Sequence, residues 1–264
     1  MSQNKHLLSR FCVLLCVICI LLPLMLLILW SFSQKWAWPS LLPSGLSLRA
    51  MKEVFGGYSG ALHSLGLSIL LSSIVAILAT TVGTMTARAL VFYDFPGKRL
   101  IHFSAMLPVI VAGTAFTMGL HVIFLRLGLS DTFLGVVIIH VLLSLPYTVK
   151  LMTDSTAAIG VTCEEAALTM GAGPLRAFWE VSIPALLPGL TASLCMGYII
   201  SFGQYFPTLL IGGGNVKTFA VMMVPYLQSG DRAIASAYSV VFIFVTLILF
   251  FVLDKAVKKL SSAV

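Results

Sequence analysis

The sequence is poor in charge. Of its 264 residues only 9% are Asp, Glu, Lys or Arg, while 59% are hydrophobic; soluble domains carry about 25% charged residues. That shortage excludes an ordinary water-soluble globule, because too few polar side chains exist to coat its surface. Acids are scarcest, nine in all, and none lies securely inside an apolar stretch. An intramembrane hydrolase or ion site would need such a group as acid, base or ligand. Sustained polar/apolar alternation over about ten positions is also missing, which excludes a membrane β-barrel. The five histidines, His6, His63, His102, His121 and His140, have no metal-ligand spacing. Of the five cysteines, Cys12, Cys16 and Cys19 share one helical face and read as small packing or lipid-facing groups, and Cys163 and Cys195 stand alone. No disulfide framework follows. A phosphate-binding loop of the form G-x-x-x-x-G-K-[ST] is lacking as well. Its nearest approach, Ile211 to Thr218, has Ile211 and Val216 where glycines are required. Nucleotide chemistry therefore belongs elsewhere.

What the chain has in abundance is apolar length. The charge-poor runs predict an all-α integral membrane protein with about six spans, near 11–32, 62–87, 101–125, 133–152, 186–210 and 234–253, each close to the roughly 20 residues a bilayer demands. The chain reads as one transmembrane domain. The first run is too long for a secretory h-region, carries Pro23 and is followed by no small-residue cleavage site, so it reads as a retained helix. With the N-terminus inside, ten basic residues fall on the cytoplasmic side (Lys5, Arg10, Arg88, Lys98, Arg99, Lys150, Arg176, Lys255, Lys258, Lys259) and six outside (Lys35, Arg49, Lys52, Arg126, Lys217, Arg232). The bias favours both termini in the cytoplasm. It also accounts for the net charge of +7 without nucleic acid, whose partners gather basic residues on one wet face.

Small residues recur every four positions at Ser68, Ser72, Ala76, Thr80 and Thr84, and again at Gly189, Ser193, Gly197 and Ser201, with Tyr205 one step further. Such stripes let helix backbones approach closely. The second stripe has two readings, helix packing or the wall of a translocation path. Pro23, Pro108, Pro146 and Pro207 should kink or end the spans that hold them.

The patterned polar insertion is residues 154–185. Thr162 three residues before Glu165 suggests a capping box, and Glu164 with Glu165 suits the positive end of a helix. Gly171 is a good terminator. Gly173 and Pro174 can start a second helix, with Arg176 and Glu180 one turn apart, and Pro184 and Pro188 bracketing the return to the membrane.

Glu165-Ala166-Ala167, then Gly171, then Val181-Ser182-Ile183-Pro184 resembles the EAA motif of permease subunits of bacterial binding-protein-dependent ABC importers, with every spacing kept and Val181 and Ile183 standing where Ile and Leu are usual. The segment Ser201 to Leu227 is similar to the region after that motif in the polyamine, thiamine, ferric-iron and phosphonate importer group. The resemblance implies a type I (MetI-like) permease fold in the bacterial inner membrane, and an importer whose permease binds no cofactor itself. It implies three partners: a cytoplasmic ATPase dimer that uses ATP and Mg, a second permease subunit, and an extracytoplasmic solute-binding protein. Glu164, Glu165, Ala166, Ala167, Gly171, Ile183 and Pro184 would form the ATPase-coupling loop.

Candidates for the translocation path are Gly197, Ser201, Gln204, Tyr205, His121 and His140. His121 and His140 lie in the third and fourth predicted spans and could face each other. Gly203 and Gln204 stand near where polyamine permeases often carry acids, which argues against a strongly cationic cargo; Gln204 and Tyr205 would offer neutral hydrogen bonds and an aromatic face to a small polar one, or else pack against the partner subunit. The alternative is an ion- or proton-coupled secondary transporter, for which these histidines would be the proton carriers.

Overall fold

A computed structural model describes residues 2–34, 45–56 and 60–261, and Lys35 lies outside them. Among the described residues the only β feature is an isolated bridge between Ser33 and Leu46. Helices are the structure lipid enforces, because they satisfy every backbone amide and carbonyl within one segment.

The elements are α1 (Ser2–Ser31), α2 (Arg49–Phe55), α3 (Ala61–Phe92), α4 (Lys98–Ile110), α5 (Gly113–Leu127), α6 (Phe133–Ile159), α7 (Thr162–Thr169), α8 (Pro174–Ala177), α9 (Ile183–Phe202), α10 (Phe206–Gly212), α11 (Phe219–Ser229) and α12 (Arg232–Ser261). Among the described residues five helical segments are long and apolar enough to cross a membrane, or six if the bent pair α4–α5 is one span.

The chain divides into two compact units, residues 1–63 with 222–245, and residues 64–221 with 246–264. Within the first, Arg49 pairs with Asp231 at 3.1 Å, the Arg232 guanidinium lies 5.7 Å from the Trp30 ring centre, and Tyr226 stacks on Tyr238.

The second unit is built around α6. Its apolar face buries Val136, Ile139 and Leu143 with Leu71 and Val75 of α3, Phe124 of α5 and Ile211 of α10. Towards the far end of α6, Met152 packs with Ala87 of α3 and Leu186 of α9. Each fully buried side chain of this kind contributes about 1.5–3 kcal/mol relative to water. In a bilayer much of that gain is already made on insertion, so close packing decides how the helices pair.

Glycine supplies the packing at α9. A β-carbon at Gly197 would sit 3.3 Å from Ala76 Cα on α3, and one at Gly189 would sit 2.6 Å from Ser155 Cβ on α6. Between them the Ser193 and Thr80 hydroxyls lie 3.2 Å apart in the interior.

Three predicted elements differ from what forms. The third span is not one helix: α4 and α5 meet at a 111° bend. Pro108 removes a donor and crowds the preceding turn, and the chain leaves helical geometry at Val111 (ψ 136°) and Ala112 (ψ 126°) before Gly113 restarts it.

The fourth span is longer than the predicted 133–152. It continues to Ile159, with Lys150 and Asp154, four apart and both exposed, paired at 2.8 Å on it, and it stops at Gly160 with φ +70°. The fifth span ends at Phe202, and α10 begins afresh at Phe206 with Pro207 in its first turn.

Pro184 and Pro188 mark the return to the membrane without breaking the helix. Both lie inside α9, which is continuous with α8 through a π turn over Phe178–Ser182, where the Ile183 N–H donates to the carbonyl five residues back. Such a turn relieves the clash a proline ring makes with the carbonyl four residues before it.

Candidate functional site

The insertion folds as a short helix between two left-handed glycines. Gly160 (φ +70°) ends α6 and Gly171 (φ +91°) ends α7. At the latter the Gly171 N–H donates to Leu168 O and the Ala172 N–H to Ala167 O, both at 3.0 Å. This paired arrangement consumes the carbonyls a helix end otherwise leaves open.

At the other end the predicted capping box is absent. α7 begins at Thr162 itself after Val161, whose side chain caps nothing, and the Glu165 N–H bonds the Val161 carbonyl at 2.9 Å. Thr162 is therefore already helical and cannot fold back over the first turn. Both acids remain in that turn, where the helix dipole favours them.

The two neighbouring acids do different things. Glu164 turns into the protein. Its Oε1 accepts from Arg88 Nη2 of α3 at 2.9 Å, and its Oε2 accepts from the Ser182 hydroxyl in the π turn. The Arg88 guanidinium also lies 5.1 Å from the Phe92 ring centre and 4.8 Å from that of Phe178. The Arg88 hydrogen bond holds the Glu164 carboxyl below its ordinary value, Ser182 adding to the effect and burial opposing it.

Glu165 by contrast is exposed, as is Ala166, while Ala167 is buried against the protein's own helices. Ala167, expected in the coupling loop, thus presents no surface to a partner in this structure; it anchors α7 from beneath. Ile183 and Pro184 are half-buried in the first turn of α9. Elsewhere in the insertion several exposed side chains are apolar, with Met170 82% exposed, Leu175 74% and Trp179 61%. Of these, Leu175 and Trp179 carry no spacing signal, and only their burial pattern picks them out.

The path candidates separate into two groups. Gly197 faces Ala76 and Thr148. Ser201 and His140 are buried, with His140 Nδ1 2.9 Å from Ser201 Oγ and Nε2 2.9 Å from Thr208 Oγ1. Thr208 spends its hydroxyl proton on the Gln204 carbonyl at 2.9 Å, so it must accept from His140 Nε2–H, and a neutral ring then takes the Ser201 proton at Nδ1. These three residues join α6, α9 and α10 within the subunit. Both His140 nitrogens being taken, His121 on α5 is not its hydrogen-bonding partner.

Gln204 instead lines a cavity of about 690 Å³. Its wall is made where both broken helices come apart: Val111, Ala112, Gly113 and Thr114 from one break, Gly203, Gln204 and Phe206 from the other, with Tyr147 of α6. No Asp or Glu lines it. Tyr205, beside it in sequence, is half-buried and is not part of that wall.

The profile of the family described as binding-protein-dependent transport system inner membrane component matches residues 79–264, more than half of the chain and all of α6 to α11. The chain belongs to that family.

The permease is 25% identical over 91% of its length to a Salmonella typhimurium permease named for 2-aminoethylphosphonate transport, covering 90% of that protein. It is 30% identical over 65% of its length to the molybdenum transport system permease protein ModB of Azotobacter vinelandii, covering 83% of it. In fold the permease resembles a chain of a bacterial ABC transporter involved in the import of the acidic polysaccharide alginate, with a TM-score of 0.75 at 19% identity over 96% of each chain. It is thus a multi-pass inner-membrane permease of the ABC importer type, and its relatives are transport subunits, not catalytic ones. The comparisons lend no support to the secondary-transporter alternative.

Proposed function

We propose that this permease forms half of the path of an ATP-driven importer, with both termini cytoplasmic, and takes its drive from a separate ATPase dimer docked on α7. The observation carrying this reading is that one insertion exposes an acid, Glu165 on α7, and the apolar side chains Met170, Leu175 and Trp179 that follow it in sequence. A partly charged, partly apolar knob fits a cleft that offers a basic group within an apolar wall. A second permease completes the path, and an extracytoplasmic binding protein delivers the cargo.

The path segment contributed here is the cavity at the two helix breaks. A wall of Gln204, Thr114, Tyr147 and exposed main chain, with no carboxylate in it, favours a small polar solute over a polycation. Relatives named for phosphonate and molybdenum transport favour an oxyanion.

The test is reconstitution with the partner ATPase and binding protein in proteoliposomes, following phosphate release and uptake while 2-aminoethylphosphonate, sulfate, molybdate and trehalose are offered in turn. Glu165→Lys and Gly171→Asp are each expected to cut stimulated hydrolysis and uptake at least tenfold. Undiminished activity in both variants would refute the docking role of α7. Stimulation by trehalose alone would refute the oxyanion assignment.

A further inference from the structure

We infer that Arg88 is the positioning residue of the coupling helix, a role that rests on the docking function proposed for α7. Covalently, α7 hangs between two turns, Gly160 at φ +70° and Gly171 at φ +91°. Eight residues cannot hold their own direction between such joints. Beyond the burial of Ala167 beneath them, one carboxylate bonded on both sides ties them down: Glu164 receives Arg88 from α3 at 2.9 Å on one oxygen and Ser182 from the π turn on the other.

Arg88 is itself immobilised. Its guanidinium is held near Phe92, four residues along the same helix, and Phe178, and its side chain is only 15% exposed, against 20% for Glu164. Flat contact with aromatic rings leaves the guanidinium edge free to donate to the carboxylate. Thus α7 is tied to α3 and to the start of α9 at the same point, and a push on α7 reaches two membrane helices at once.

Arg88 is 76 residues from Glu164 and belongs to no part of the EAA pattern. The other acid–base pairs in this region, Arg176 with Glu180 and Lys150 with Asp154, are exposed pairs within one helix; neither ties two elements together.

The experiment measures the direction of α7 apart from transport. The full chain, with its five cysteines replaced (Cys195→Ala, the others→Ser), carries spin labels at Met85→Cys on α3 and Thr169→Cys on α7, both exposed positions, in lipid nanodiscs. Pulsed electron resonance should give one narrow distance distribution. Arg88→Gln and Glu164→Gln should each broaden it, the double substitution should broaden it no further than either alone, and Arg88→Lys should fall between. In the same proteoliposome assay Arg88→Gln should lower cargo moved per ATP hydrolysed at least fivefold while the complex still co-purifies with its ATPase. A distribution left narrow by Arg88→Gln, or a double variant as broad as the sum of the two, overturns the inference. If the distances broaden but Glu165→Lys leaves transport untouched, the docking role of α7 is what fails, and the purpose assigned to Arg88 falls with it.

Discussion

Gly189→Ala tests whether the small-residue stripe of α9 is a packing seam. The added methyl carbon would lie 2.6 Å from Ser155 Cβ on α6 and 3.7 Å from Met152 Sδ. The hydroxyl of Ser155 can rotate away; its Cβ cannot. Carbon atoms in contact sit about 3.5–4.0 Å apart, so the two helices must separate by roughly 1 Å at that point, and overpacking of this size costs about 1–3 kcal/mol.

Gly197→Ala provides the internal comparison. Its methyl would meet Ala76 Cα at 3.3 Å and the Thr148 methyl at 3.6 Å, so the neighbours need give only a few tenths of an ångström, at a cost below about 1 kcal/mol. The assay is thermal unfolding of the purified permease in nanodiscs, read by the fraction still monodisperse after heating. Gly189→Ala should lower the midpoint by several degrees, at roughly 2–4 °C per kcal/mol. Gly197→Ala should lower it by less than Gly189→Ala and by no more than about 4 °C, and adding Ser155→Gly should restore most of the Gly189→Ala loss. If Gly197→Ala proves the more damaging, or Ser155→Gly rescues nothing, the seam is not where the stripe packs.

Three further outcomes are expected. Glu164 titrates below its ordinary 4.5 because Arg88 stabilises the anion, so the stability it lends is complete above about pH 4.5 and is lost as pH falls through the lower folded value. Acid melts of the wild type should show this loss, and Glu164→Gln should remove that share of the pH dependence. Gly213→Ala, at φ +51° with the new methyl 2.5 Å from Asp131 Cγ, should cost about 2–4 kcal/mol from backbone strain and overpacking together, read in the same thermal assay. His140→Ala leaves the buried Ser201 hydroxyl without its acceptor and opens a void, and should cost about 2–4 kcal/mol; Ser201→Ala, which removes one hydrogen bond only, should cost about 1 kcal/mol.

The membrane helices were legible because lipid makes charge scarce, so the remaining charges mark where spans end. Sequence counting carries the fourth span through Lys150 only to residue 152, because a bilayer needs about 20 residues; the helix goes on to Ile159 outside that length, past the exposed Lys150–Asp154 pair. Pro108 signalled a disturbance in α4 but not its size, because a proline bends a helix by an amount its neighbours decide.

The stripe from Gly189 to Ser201 announced close approach without naming the partner, and only the contacts with Ala76, Thr80 and Ser155 assign it to packing. Glu164 and Glu165 are indistinguishable in sequence. What separates them is Arg88, whose proximity depends on how α3 and α7 are brought together and not on any local pattern.

The π turn at Phe178–Ser182 has a consequence for direction. Each helical residue rotates the chain by about 100° and advances it about 1.5 Å. A π turn holds one residue more than an α turn, so deleting any one residue between 178 and 182 would let the helix close normally. Everything before it, with Trp179 and α7, would then swing about 100° around the α9 axis. The turn is an angular setting: one inserted residue aims the knob toward a particular side of the membrane helix that carries it.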